Sequence, residues 1–492
     1  VTELTSPLAQ LTAPPDIEVV MKRFGTTNRQ LGRRPGHRTI AGVAVVAALG
    51  LTAAACGSSG SSGASGDGHV TISVNCEPPA TATAQRKEWN EDVATFEKAN
   101  PNITIKSVTY TGQCEVPAQF TATLKAGTET NLFYAYFTDL NQVLDAGQAA
   151  DITSYVNTKT VPALHDIVPS AMAAETAGKT LYGLPTSNYT QGLVINRKLF
   201  TQAGLDPNTP PTTWAEVEKD AKAIAALGHG IYGYGDYSAS PVGGWHFTSE
   251  VDAMGGQIVG SNGQAAFDSS ANAPQATAIL QALHQMRFVD HSMSPNQQLA
   301  WGTLQQQIAA NKLGMYIAAP DDIYNTIVPV DHGNVNDYGM GPLPSTSGTP
   351  AGSLSGGNGY MFAKSDTPAQ IRAGIKWLNF EDLTPGQGQF NYARQKADGF
   401  PVGFPEPQLF TGATQQKNQK LQEASATIHT SYYSTFAAAH EKGMGEPPDA
   451  QALYAALNTP MLDALTEPNP DYSKLLSAAA ANVNTLLANS GG

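Results

Sequence analysis

His69-Val70-Thr71-Ile72-Ser73-Val74-Asn75 is a run rich in β-branched residues, which suit a pleated surface, and it reads as a strand. Over 85–100, Trp89, Val93 and Phe96 recur at i, i+4 and i+7, one face of a helix. Asn100-Pro101 closes that helix, because proline has no amide to continue the ladder. Residues 103–110 alternate as a second strand, so the opening is β-α-β, the start of a parallel sheet. A third strand at 132–137 is followed by a helix at 140–146.

The same alternation continues outward. Thr213-Trp214-Ala215-Glu216 is a capping box: the Thr213 side chain covers the Glu216 amide while Glu216 reaches back. Its helix should run to Leu227 and stop at Gly228. Thr367-Pro368-Ala369-Gln370 repeats the device, with Ile371, Ile375 and Leu378 as the buried stripe. Helical periodicity also marks 274–291, 299–311 and 449–488. No internal repeat appears, and the fold class is α/β. A chain of 492 residues exceeds one ordinary core, so two or three lobes are expected.

The amino-terminal part has a different composition. Lys22, Arg23, Arg29, Arg33, Arg34 and Arg38 form an acid-free cationic stretch, followed by a short apolar run at 40–51. Small residues Thr52-Ala53-Ala54-Ala55 then precede Cys56, the pattern of an export signal. The run is too short to cross about 30 Å of hydrocarbon, and no other uncharged apolar stretch approaches 18 residues. Arg33-Arg34 lacks the hydrophobic follow-up of a twin-arginine signal, which favours general secretion. Leu51-Thr52-Ala53-Ala54-Ala55-Cys56-Gly57 resembles a bacterial lipobox, with Ala53 where that motif usually has Leu. The resemblance implies palmitate-type acylation of Cys56 and an extracytoplasmic, lipid-anchored position on the cell membrane; the alternative is plain cleavage near Ala55. The expected division is a mis-called start at 1–20, a lipoprotein signal peptide at 21–55 and a Gly/Ser tether at 56–68.

With Cys56 set aside, Cys76 and Cys114 remain in an oxidising compartment, where a disulfide is expected; two separate buried thiols are the alternative. Formal net charge is −13, although the first 55 residues hold six basic side chains against three acidic ones. The rest of the chain is therefore more acidic still, which opposes binding to nucleic acid or anionic lipid.

Enzyme signatures are thin. Ala173-Ala174-Glu175-Thr176-Ala177-Gly178-Lys179-Thr180 fits a relaxed phosphate-loop spacing, but helix precedes strand here, the reverse of what phosphate binding needs. There is no G-x-S-x-G or H-E-x-x-H, and the ten histidines are scattered. Adjacent carboxylates at Asp321-Asp322 and Glu381-Asp382 would point apart in extended chain, unlike a glycosidase pair about 5–9.5 Å apart. No metal and no cofactor are expected. Aromatic and polar residues instead collect after strands, where open α/β sheets hold ligands: Asn75 and Glu77, Tyr134 and Tyr136, Asn188 and Tyr189, Trp245 and His246. Such residues suit a sugar ring, with apolar faces and many hydroxyls; for any single aromatic, core packing is the alternative.

A longer resemblance joins these pieces. Gly178-Lys179-Thr180-Leu181-Tyr182-Gly183-Leu184-Pro185, Gly192-Leu193-Val194-Ile195-Asn196-Arg197-Lys198-Leu199-Phe200, Ala203-Gly204-Leu205 and the 211–216 box resemble family 1 extracellular solute-binding proteins. Phe96-Glu97-Lys98-Ala99-Asn100-Pro101, Gly255-Gly256 and Lys312-Leu313-Gly314-Met315 match further landmarks, across roughly 69–490. These are receptor lipoproteins of ABC sugar importers, related to maltose-binding protein. The resemblance implies two lobes joined by a multi-segment hinge, first crossed near 185–191. Lobe I would hold 69–187 and about 341–384, lobe II 188–340 and about 385–490.

By order along the chain, it implies ligand positions at Asn75, Glu77, Tyr134, Tyr136, Asp139, Asn188, Tyr189, Trp245, His246, Gly357, Asn358 and Phe400. Where the family often has a stacking Trp, this chain has Ala319-Pro320-Asp321-Asp322 with Tyr324 beyond, which favours a smaller sugar, a polyol or a cationic solute. The expected function is a monomeric, non-enzymatic receptor delivering a carbohydrate or polyol to the transmembrane permease subunits of an importer. A polyamine receptor and a secreted glycoside hydrolase are the alternatives.

Overall fold

The computed structural model describes residues 68–110, 114–405, 409–439, 442–447 and 450–490. The start, signal, lipobox and nearly all of the tether, Cys56 included, lie outside the described residues.

The chain opens with β1 (Val70–Glu77), α1 (Thr83–Ala99) and β2 (Ile103–Thr109), and β1 pairs parallel with β2. β3 (Leu132–Tyr136) pairs parallel with β1 on its other side. β4 (Gly183–Thr190) then runs into β5 (Gly192–Asn196) with only Gln191 between them. These two strands belong to different sheets. α2 (Trp214–Ala225), β6 (Tyr232–Tyr234), α3 (Val242–Ala253), β7 (Leu313–Ala318) and β8 (Tyr338–Gly341) follow. β9 (Ser353–Phe362), α4 (Pro368–Glu381), β10 (Gly443–Gly445), α5 (Ala450–Thr466) and α6 (Tyr472–Ser490) complete the elements that position the site.

The first sheet runs β10-β9-β3-β1-β2, with β4 also on β9, and the second runs β8-β5-β7-β6. Each has its own core. Ile72, Val74, Phe96, Leu132 and Trp377 centre the first, where Trp89 and Phe96 meet Trp377 edge-on at 5.7 and 5.2 Å. Leu193, Ile195, Phe247, Leu280 and Leu457 centre the second. A chain that changes sheets within one residue can bend there without disturbing either core. Ser353 lies where the chain returns to the first sheet, and its hydroxyl bonds the Gln191 amide at 2.7 Å and carbonyl at 3.2 Å. These two crossings are therefore tied side by side.

Local expectations hold where caps decide them and shift where packing does. Glu216 N donates to Thr213 Oγ1 at 3.2 Å and Thr213 N to Glu216 Oε2 at 3.1 Å, the reciprocal capping box. In α1, Asp92 is buried between Trp89 and Phe96 while Val93 is only half-buried, because Arg394 supplies Asp92 with a partner. The helix expected over 449–488 is two helices, broken after Thr466 by Glu467-Pro468-Asn469-Pro470. Elements after 385 do not form one block with the second lobe. Phe390, Leu409 and Phe410 join the first core, β10 pairs with β9, and α5 and α6 pack into the second core.

Candidate site between the two sheets

Register decides which side chains share a face. β9 opposes β3 so that Asn358 lies beside Tyr136 and Tyr360 beside Tyr134; on β4, Gly356 lies beside Tyr189. Directly opposed residues point the same way, so these side chains share one side of the first sheet. The Tyr134 ring meets Tyr136 and Tyr360 edge-on at 5.5 and 6.1 Å. Position 356 needs glycine because Tyr189 folds over it: a Cβ would come within 2.4 Å of Tyr189 Oη and 2.5 Å of Glu446 Oε2.

The second lobe brings Trp245 to this surface. Gly244 lets α3 lie directly on α5, since a Cβ there would sit 1.9 Å from the Tyr454 carbonyl oxygen. Trp245 Nε1 donates to Tyr189 Oη at 3.3 Å, and the two rings meet edge-on at 6.1 Å. Trp245 also meets Trp301 edge-on at 6.0 Å, and Trp301 stacks on Tyr237 at 5.5 Å. Tyr454 Oη donates to Glu446 Oε1 at 2.9 Å. Tyr189 of the first sheet and Tyr454 of α5 thus flank one carboxyl group.

More carboxyls line the same region. Asp139 is buried, and its Oδ2 accepts the Tyr136 amide at 2.7 Å. Burial pushes its pKa up to about 6 and that of Glu446 up to about 7. Glu115 lies against Asp139; burial, then the Asp139 charge, push it up to about 10, so it carries the proton of the pair. Burial raises Asp321 to about 6 and Asp322 well above the usual carboxylate range, with Asp321 adding to the effect on Asp322. The Tyr189 hydroxyl is held high by burial first, then by the charges of Glu446 and Asp321.

Of the positions expected from sequence, Tyr134, Tyr136, Asp139, Tyr189, Trp245 and Asp321 fall in or beside this cluster. Others are engaged elsewhere. Glu77 is paired with Arg86 at 2.7 Å and accepts from Thr109, so both its oxygens serve the β1–α1 flank. Asn75 Oδ1 accepts the Tyr134 amide at 2.8 Å and ties β1 to β3. Asn188 accepts from Ser355 at 3.1 Å, and Asn358 Oδ1 from Thr186 at 2.8 Å. A Cβ at Gly357 would meet Phe137 at 2.4 Å, a packing reason for glycine. His246 is fully buried behind Trp245, its Nδ1 2.5 Å from Asp236 Oδ1. Asp322 Oδ2 accepts from Tyr316 at 2.8 Å and Gln305 at 3.0 Å, and Tyr324 packs on Phe404 at 5.4 Å. Phe400 sits in the turn after helix Tyr392–Ala397, and no contact among the described residues ties it to the cluster. Glu446, Glu115, Trp301 and Tyr237 escaped the sequence reading; none stands in a recognisable motif.

Cys76 and Cys114 are joined as a disulfide with Cα atoms 4.9 Å apart, which fastens the end of β1 to the segment carrying Glu115. Among the described residues, no group of three or more His, Cys, Asp or Glu is placed to hold a metal ion. No described helix is long and apolar enough to cross a membrane.

The chain resembles known proteins over different lengths. A putative binding protein of Brucella abortus (strain 2308) is 30% identical over 140 residues, 28% of this chain and 33% of that protein. The match thus spans about a third of the length of that curated relative. Among solved structures, an ABC transporter solute-binding protein from Thermotoga lettingae bound with α-D-tagatose has TM-score 0.65 at 19% identity. It aligns over 85% of this chain and 99% of its own. The GacH receptor of Streptomyces glaucescens, solved unliganded and with acarbose, has TM-score 0.66 at 16% identity, over 85% and 99%. At these identities the structures establish a shared fold. Residues 80–382, more than half of the chain, match a family described as bacterial extracellular solute-binding protein, and the chain belongs to that family.

Proposed function

We propose that the chain is the lipid-anchored, monomeric receptor of an ABC importer, capturing a carbohydrate or polyol between its two lobes for delivery to a membrane permease. The observation that carries this reading is the contact between Trp245 of the second lobe and Tyr189 at the crossing from the first. Each ring brings an apolar face, and Asp139, Asp321 and Glu446 bring acceptors for hydroxyl groups. The ligands named for the structural relatives, tagatose and acarbose, agree with it. Closure would turn about Gln191 and the return segment before Ser353, with the ligand favouring the closed form through contacts to both lobes. Acylation at Cys56 would hold the receptor at the outer membrane face, with the Gly/Ser run as tether. The reading assigns no catalytic residue. Thermal-shift screening of sugars, followed by small-angle scattering with the best hit, tests it: one sugar should raise the melting temperature and shrink the radius of gyration. Stabilisation by no sugar or polyol would refute it.

A further inference from the structure

The carboxyl groups of the cleft differ from the other buried acids in what they are bonded to. Among the described residues, the lysine and arginine ion pairs involve Glu77, Glu88, Glu91, Asp92, Asp290 and Asp398. None reaches Glu446, Asp139, Glu115 or Asp321. Among the described residues, Glu446 accepts from the Tyr454 hydroxyl, and Asp139 from the Tyr136 amide and the Glu115 carboxyl. Glu115, 3% exposed, lies against Asp139 as the protonated member of that pair, so the charge that needs a partner rests on Glu446, Asp139 and Asp321. Carboxylates withdrawn from water without a countercharge are costly, and closing lobes withdraw them further. A neutral polyol donates hydroxyl hydrogens but brings no charge.

The surrounding rings point the same way. Trp245, Tyr189, Trp301 and Tyr237 form a continuous set of edge and face contacts beside these acids, and Trp301 is 40% exposed. Aromatic faces accept both the apolar side of a sugar ring and a cation.

We infer that the solute is an amine-bearing carbohydrate, its ring laid on Trp245 and Tyr189 and its ammonium group meeting Glu446 with Asp321 or Asp139. This deepens the receptor reading and rests on it. Ammonium supplies the countercharge the cleft lacks, and the remaining hydroxyls use the other acceptors.

Calorimetry on the purified protein with matched probes decides the matter: glucosamine against glucose, galactosamine against galactose, N-acetylglucosamine, and spermidine. An amino sugar should bind at least about tenfold more tightly than its neutral parent. That preference should shrink by about tenfold from low to high salt, and N-acetylation should abolish it. Glu446→Gln should narrow the preference by weakening the amino sugar far more than its neutral parent; Asp321→Asn is the second variant, and the unliganded melting temperature checks that each folds. A neutral sugar bound as tightly as its amine overturns this inference and leaves the receptor reading standing. Spermidine bound with no sugar overturns both.

Discussion

Two acidic regions of the protein are built in opposite ways. On the α1 flank, Glu77 faces Arg86 at 2.7 Å, while Asp92 and Glu88 share Arg394. Between the sheets, no lysine or arginine among the described residues pairs with Glu446 or Asp139: Glu446 accepts from the Tyr454 hydroxyl at 2.9 Å, and Asp139 from the Tyr136 amide at 2.7 Å and from Glu115. A buried carboxylate bonded to a guanidinium is complete within the chain and fastens elements together. One held by neutral donors keeps its charge available to whatever enters. The flank is structure; in the proposed reading, the cleft is a place of exchange.

The contrast can be broken at its strongest point. Arg394→Ala strands Asp92, which is 3% exposed, and should cost about 3–5 kcal/mol, read as a large fall in melting temperature. Glu446→Gln removes a carboxyl with no cation partner but keeps an acceptor for Tyr454, and should change unliganded stability by about 1 kcal/mol or less. Equal losses in the two variants would erase the distinction.

The disulfide comes next. Its separation of 38 residues corresponds to about 4 kcal/mol in the chain-entropy description. Because Cys114 precedes Glu115, Cys76→Ser should loosen the acidic side of the cleft as well as lower stability. Thiol labelling of the unfolded, unreduced protein from residue 68 onward should find neither cysteine free.

A smaller effect belongs to the rings. Trp245→Ala should weaken sugar binding by about 1 kcal/mol, visible in titration as a several-fold higher Kd.

The remaining prediction concerns pH. The raised carboxyls Asp139 and Asp321 near 6, Glu446 near 7 and Glu115 near 10 keep protons in the folded state that the unfolded chain has released. Their protonated forms favour folding, so stability should fall as pH rises through about 6 to 7, and not the reverse. Melting curves across that interval should show a downward slope, shallower in Glu446→Gln.

The fold was largely legible in the sequence because short-range chemistry decides it. β-Branched runs, the capping boxes at Thr213 and Thr367, and Asn100-Pro101 state their element within a few residues. The change of sheets at Gln191 falls at the end of the stretch where the resemblance implied a crossing. What was hidden depends on distant partners. Nothing near Asp92 announces Arg394, 302 residues away, so the buried stripe of α1 appeared to use Val93. Glu446 reaches the cleft only because β10 joins β9 and Tyr454 holds its carboxylate. Glu77 and His246 carried suitable side chains, but Arg86 and Asp236 occupy them. A sequence reading can list groups able to bind a solute; only tertiary partners separate those left available from those already engaged.

The central claim, capture without chemistry in a cleft shared by two lobes, is tested most directly by titrating the purified protein with its best sugar and then recovering the sugar. We expect saturation at one molecule per chain and recovery of the sugar unchanged. Sugar converted to product, with no stoichiometric complex at any concentration, would contradict the account.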